Sequence, residues 1–165
     1  MSIGIIVYSH TGHTLAVARK LEERLSDDRH AVTLEELAIV GPGNPSAKTA
    51  RLKSNPPIDR YDALVFASPV NGGRMCGAMN SYLDQIPDLQ GKRVVCLVTH
   101  FLFESWGANQ TLDQMKDICE SRGATICGTG SVRWSSFCRG SRISRTVEHV
   151  ANCLANRREL TSSQQ

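Results

Sequence analysis

The stretch Tyr8-Ser9-His10-Thr11-Gly12-His13-Thr14 stands where an apolar run ends and a helical pattern begins. Ahead of it, Ile3, Ile5, Ile6 and Val7 read as a strand buried on both faces, the mark of a parallel sheet. Behind it, Leu15, Ala18, Leu21 and Leu25 recur at the spacing of one helix face. The first amides of a helix have no internal partner, and the macrodipole places partial positive charge there. A turn of this kind can therefore hold a phosphate. Ser9, Thr11 and Thr14 add hydroxyl donors, and Gly12 lets the backbone approach closely.

The rest of the chain repeats the alternation. Residues 31–37 are strand-like, and Gly41-Pro42-Gly43-Asn44-Pro45 then breaks all regularity. Residues 47–53 are expected to form a short helix before Pro56-Pro57, within a long connection expected to be mobile and on the surface. Ala63-Leu64-Val65-Phe66-Ala67 is continuous enough for a central strand, and Ser68-Pro69-Val70-Asn71-Gly72-Gly73 follows it as a second loop able to face a ligand. A helix over 77–86 ends at Pro87. The next buried strand is Val94-Val95-Cys96-Leu97-Val98, running to Thr99. A third loop, 100–108, carries Phe101, Phe103 and Trp106. Leu112, Met115, Ile118 and Cys119 define a helix over 111–122, stopped by Gly123. A last strand over 124–132, weakened by Gly128 and Gly130, and a closing helix over 141–155 complete the pattern.

Five strands alternating with about five helices predict an α/β, three-layer, doubly wound parallel sheet, with ligands at the carboxyl ends of its strands. All three unusual loops follow strands and should meet at one edge. Residues 1–158 read as a single domain and 159–165 as a frayed tail.

Composition restricts the function classes. With 165 residues, 41% hydrophobic and 21% charged, the chain is an ordinary globular protein long enough for a real core. A net charge of +3 is too small to argue for nucleic acid. Six cysteines show no CxxC pair and no zinc spacing, so no metal is expected. No charged-then-apolar leader and no membrane-length apolar run is present, so reduced thiols in a cytoplasm are expected.

Taken together, the loops resemble those of the flavodoxin-like family of FMN-binding proteins, over Ile3 to about Ala155. The most specific part is Ser9-His10-Thr11-Gly12-His13-Thr14, which is similar to that family's hydroxyl-rich phosphate loop. The resemblance implies strand order 2-1-3-4-5 and noncovalently bound FMN. Ser9, His10, Thr11, Gly12, His13 and Thr14 would wrap its phosphate, and Ser68, Pro69, Val70, Asn71, Gly72 and Gly73 would run along the ring, with a peptide near Asn71-Gly72 facing flavin N5. Thr99, His100 and Gly107 would border the other side, with Phe101, Phe103 or Trp106 stacking. The protein would relay electrons to a redox partner protein. Alternatively it would take hydride from NAD(P)H and reduce a small acceptor such as a quinone. No side chain need act as acid or base for either, because the flavin carries the chemistry. Two departures move weight towards the reductase. The loop Val70-Asn71-Gly72-Gly73 lacks the aromatic flavodoxins commonly place there, leaving a flavin face open to substrate or to a second subunit, as in a homodimer. Flavodoxins are usually acidic, and this chain is mildly basic.

Blander readings stand beside these. The three hydroxyls could merely cap the helix, His10 and His13 could be plain surface residues, and Trp106 could be core or interface. Arg74, Arg139 and Arg142 could meet nucleotide phosphates, although solvated surface is the simpler reading. Cys127-Gly128-Thr129-Gly130-Ser131-Val132-Arg133 fits the C-x5-R loop of phosphotyrosine phosphatases, which would make Cys127 a nucleophile and Arg133 a phosphate ligand. That loop should end a strand and enter a helix, whereas Cys127 lies within an apolar run. A flavin-free binding module that keeps the fold is a further alternative.

Overall fold

The computed structural model describes residues 1–101, 107–135 and 137–156. Its elements are β1 (Ser2–Val7), α1 (His13–Asp27), β2 (Ala31–Glu36), β3 (Ala63–Asn71), β4 (Arg74–Met75), α2 (Gly77–Gln85), β5 (Arg93–His100), α3 (Ala108–Ser121), β6 (Thr125–Arg133) and α4 (Arg139–Ala155). The sheet runs β2-β1-β3-β5-β6, with every neighbouring pair parallel. With the two-residue β4 set aside, this is the 2-1-3-4-5 order.

The continuous apolar runs become the buried centre of the sheet because side chains alternate between two covered faces. Ile6, Leu64, Phe66, Val94, Cys96 and Val98 pack against α2 and α3. Ile3, Ile5, Val7, Val65, Ala67 and Leu97 pack against α1 and α4 on the other side. Two cores on opposite faces hold the strand ends in a fixed plane, and the loops that leave those ends inherit that rigidity.

Four expectations are corrected. Residues 47–53 form no helix. Ile39 instead bridges Leu52 antiparallel, with the Val40 amide donating to the Arg51 carbonyl and the Lys53 amide to the Ala38 carbonyl, each at 2.8 Å. A single helical turn fixes many dihedrals for few bonds, and here α2 takes the polar groups instead. Ser81 Oγ accepts from the Ala50 amide at 3.0 Å, and Asn80 Nδ2 donates to the Lys48 carbonyl at 2.9 Å. Residues 48 and 50 of this connection are thus bonded to α2.

Residues 68–71 belong to β3 rather than to a loop, because the chain folds back through Gly72 and Gly73 and pairs Val70 with Met75 and Asn71 with Arg74. Both glycines have positive φ (56° and 76°), the conformation a two-residue hairpin turn requires. The described residues hold four helices, one fewer than expected. Finally, α3 and α4 begin earlier than their apolar patterns suggested, at Ala108 and Arg139. Phe103, Trp106 and the tail 159–165 lie outside the described residues.

Candidate functional site

β1 hands its chain directly to the site. The Tyr8 amide still bonds the Ala67 carbonyl at 3.1 Å, and the backbone then turns through Ser9, His10 and Thr11 into Gly12. Gly12 is left-handed (φ 86°, ψ −5°) and caps α1. No side chain caps this helix, and its first turn holds no acidic residue. The first internal bond runs from the Ala16 amide to the Gly12 carbonyl at 3.0 Å, so the earlier amides are left for an outside acceptor. Ser9 Oγ is buried and has no hydrogen-bond partner. A buried orphan hydroxyl costs about 1–3 kcal/mol, which an acceptor from outside the chain would offset.

A single contact ties this turn to the next strand end. Thr14 and Thr99, both buried, bring their hydroxyl oxygens to 2.7 Å across 85 residues of sequence. Thr99 is level with Pro69 on one side and Val132 on the other in the sheet register. The ends of β1, β3, β5 and β6 therefore meet at one edge.

A cavity of about 360 Å³ opens there. His10, Thr11, His13 and Thr14 form one wall, Pro69, Val70 and Asn71 a second, and Thr99, His100 and Phe101 a third. Its volume falls in the range of small-molecule sites. Ser68 is fully buried, its Oγ within hydrogen-bonding distance of Cys76 Sγ (3.2 Å) and the Pro69 carbonyl (2.9 Å), and it does not line the cavity. Ser9 and Gly12 are not among its lining residues, and neither are Gly72, Gly73 and Gly107. The last three act through the backbone: a Cβ on Gly107, itself left-handed at φ 98°, would collide with the Gly73 main chain, so the loops after β3 and β5 touch through two residues without side chains.

Two lining residues escaped the sequence reading. Pro45 arrives from the connection after β2, and Trp134 from the end of β6. The Trp134 ring stacks on His13 with centroids 4.1 Å apart and 17° between planes, and the Arg139 guanidinium lies 4.8 Å from the Trp134 ring centre. The Trp134 amide donates to the His100 carbonyl at 2.8 Å, which fixes the ring beside the third wall. The signal was Trp134's position directly behind the last parallel strand.

Adjoining this cavity through His10, Pro45 and Asn71 is a second one of about 190 Å³, reaching Tyr8, Cys76 and the start of α2. Burial first, and the neighbouring Cys76 thiol second, push the Tyr8 phenol up, so it stays neutral. Arg74, Arg139 and Arg142 are exposed near this edge. Cys127 and Arg133 sit at opposite ends of β6, six residues apart along an extended strand, or about 20 Å. They cannot close around one phosphoryl group. Among the described residues no cluster of His, Cys, Asp and Glu is placed to hold a metal, and no helix is long and apolar enough to cross a membrane.

Known structures place this architecture. A short-chain flavodoxin associated with a non-canonical PDU bacterial microcompartment superposes with TM-score 0.66 at 19% identity, covering 94% of this chain and 97% of that one. The chain has the flavodoxin-like fold. A cysteine-to-serine mutant of flavodoxin from Pseudomonas aeruginosa gives TM-score 0.68 at 14% identity, covering 94% and 100%. A flavodoxin, WrbA-like protein from Agrobacterium tumefaciens gives 0.64 at 15%, covering 92% and 95%. No protein-family model and no curated protein matches the sequence. The similarity therefore lies in the fold, and the chemistry has to be argued from this chain's own residues.

Proposed function

We propose that this protein binds FMN noncovalently in the 360 Å³ cavity and works as a redox protein through it. The observation that carries the reading is the uncapped, acid-free start of α1, where Thr11, His13 and Thr14 line a cavity of cofactor size, with the orphaned Ser9 hydroxyl buried in the same turn. The phosphate would be held by Ser9, His10, Thr11, His13 and Thr14, with Gly12 admitting the close backbone approach. Pro69, Val70 and Asn71 would border one side of the ring, with the Gly72-Gly73 turn keeping the edge slim. Thr99, His100 and Phe101 would border the other, with Trp134 in place of the aromatic missing after β3. FMN supplies the electron-transfer chemistry when bound; the chain's residues orient it and exclude water from it.

The coarse reading is an electron carrier that meets a redox partner protein. The second reading, a reductase that oxidises NAD(P)H and passes electrons to a small acceptor such as a quinone, is favoured by one observation. The flavin-sized cavity shares His10, Pro45 and Asn71 with the neighbouring 190 Å³ cavity, which would give a small acceptor its own place beside the ring. Incubating the FMN-loaded protein with NADH and NADPH separates the two. A reductase consumes the nucleotide and reduces an added quinone without help, whereas a carrier turns over only when a partner reductase is supplied. If the purified protein releases no FMN on denaturation and takes none up, both readings fail.

A further inference from the structure

At the opposite end of the sheet, where β5 and β6 begin beside the last turns of α4, lies a separate cavity of about 250 Å³. Two half-buried thiols, Cys127 and Cys153, line it. Cys127 owes its position to a bulge: Val94 pairs with Ile126 but Val95 with Gly128, which leaves Cys127 as the extra residue. A bulge re-aims the side chain it frees. Here Cys127 packs on the α1/α4 side of the sheet with Cys153, while Ile126 packs on the other side. The next residue, Gly128, has no side chain to separate them. A Cβ there would stand 3.1 Å from Cys153 Cβ and 2.5 Å from its sulfur. Cys153 thus rests on the backbone adjoining Cys127.

Each sulfur also has a polar neighbour. Arg93 Nε donates to Cys127 Sγ at 3.3 Å, and the rest of that guanidinium is held by the carbonyls of Cys153, Leu154 and Asn156 at 3.0, 2.7 and 2.8 Å. Arg93 therefore ties Cys127 to the end of α4 that carries Cys153. His149 Nε2 lies 3.6 Å from Cys153 Sγ. Neither cysteine serves the FMN cavity.

We propose that Cys127 and Cys153 form a dithiol site that a low-molecular-weight disulfide oxidises to an intramolecular disulfide. The Cys127 thiolate attacks one sulfur of the oxidant, breaking its S–S bond, forming a mixed disulfide and releasing one thiolate. The Cys153 thiolate then attacks the Cys127 sulfur and expels the second thiolate. Two cysteine thiols lose two electrons and two protons, and the oxidant leaves as two thiols.

The test is incubation of the full-length protein with oxidised glutathione, alkylation of the remaining thiols, and peptide mapping by mass spectrometry. The expected product is one peptide pair joined through Cys127 and Cys153. It should be absent from both Cys127→Ser and Cys153→Ser, with Cys153→Ser retaining glutathione on Cys127. The proposal is overturned if both cysteines stay alkylated while exposed Cys138 takes up glutathione, if each carries a separate glutathione, or if either pairs with a third cysteine.

Discussion

Gly12 and Gly107 share a left-handed backbone (φ 86° and 98°) but differ in their surroundings. Nothing lies within 4 Å of a Cβ on Gly12, whereas a Cβ on Gly107 meets the Gly73 main chain. Gly12→Ala should therefore cost only backbone strain, about 1 kcal/mol, and Gly107→Ala about 3 kcal/mol or more, both read from urea unfolding. The Thr14–Thr99 hydroxyl pair gives a second test. Thr14→Val strands a buried hydroxyl on Thr99 and should cost about 1–2 kcal/mol, while adding Thr99→Val should recover much of that loss in a double-mutant cycle. At this scale the hydroxyl-rich turn of Ser9, Thr11 and Thr14 was legible because it is local in sequence. The bridge from Thr14 to Thr99 was not, because nothing in either segment's composition names a partner 85 residues away.

Element ends show the same division. Arg93, the first residue of β5, bonds three carbonyls at the end of α4 and so takes the place of a C-terminal capping residue on that helix. Arg93→Ala should release those carbonyls to water and cost about 2 kcal/mol. Hydrogen exchange should locate the loss in the last turn of α4, while α1 keeps its protection. Strand centres were legible as uninterrupted apolar runs. The continuation of β3 to Asn71 was hidden because Ser68-Pro69-Val70-Asn71-Gly72-Gly73 has the composition of a loop, and only the register with Arg74 and Met75 turns it into a hairpin. Likewise, Gly128 and Gly130 read as weaknesses in a strand. They are instead the positions where α4 comes close: a Cβ on Gly130 would lie 2.9 Å from Thr146 on that helix. The helix expected over 47–53 failed because its polar groups are bonded to α2, a tertiary demand that local propensity does not register.

For the molecule as a whole, the buried acids set the alkaline limit of stability. Tyr82, fully buried, donates to the Pro56 carbonyl at 2.8 Å, and burial pushes its phenol well above the ordinary 10.0, with Glu35 and Tyr61 adding to it. Burial likewise raises the Cys76 thiol above 9.0, and Cys96 rises through its hydrogen bond with Cys119 and then through burial. These groups stay protonated in the folded chain while the unfolded chain ionises. Stability is thus complete below about pH 9 and falls as pH climbs through the ordinary thiol and phenol values. Tyr82→Phe should flatten the part of that fall above pH 10 in a series of urea unfolding curves, at the expense of the bond to Pro56.

The layered architecture and the edge where the cavity opens were legible from strand–helix alternation, whereas the place of Trp134 was not. A lone aromatic after the last strand looks like any turn residue until the sheet order brings it beside His13. The central claim, that the turn from Ser9 to Thr14 holds the phosphate of FMN in this cavity, is tested most directly by a visible absorption and fluorescence titration of the apoprotein. FMN and riboflavin, which differ by the phosphate, are run side by side on the wild type and on Ser9→Ala. The expected result is tight FMN binding with a perturbed flavin spectrum, far weaker riboflavin binding, and a narrower gap between the two in Ser9→Ala. Equal affinity for both flavins, or no binding of either at micromolar concentration, would contradict it.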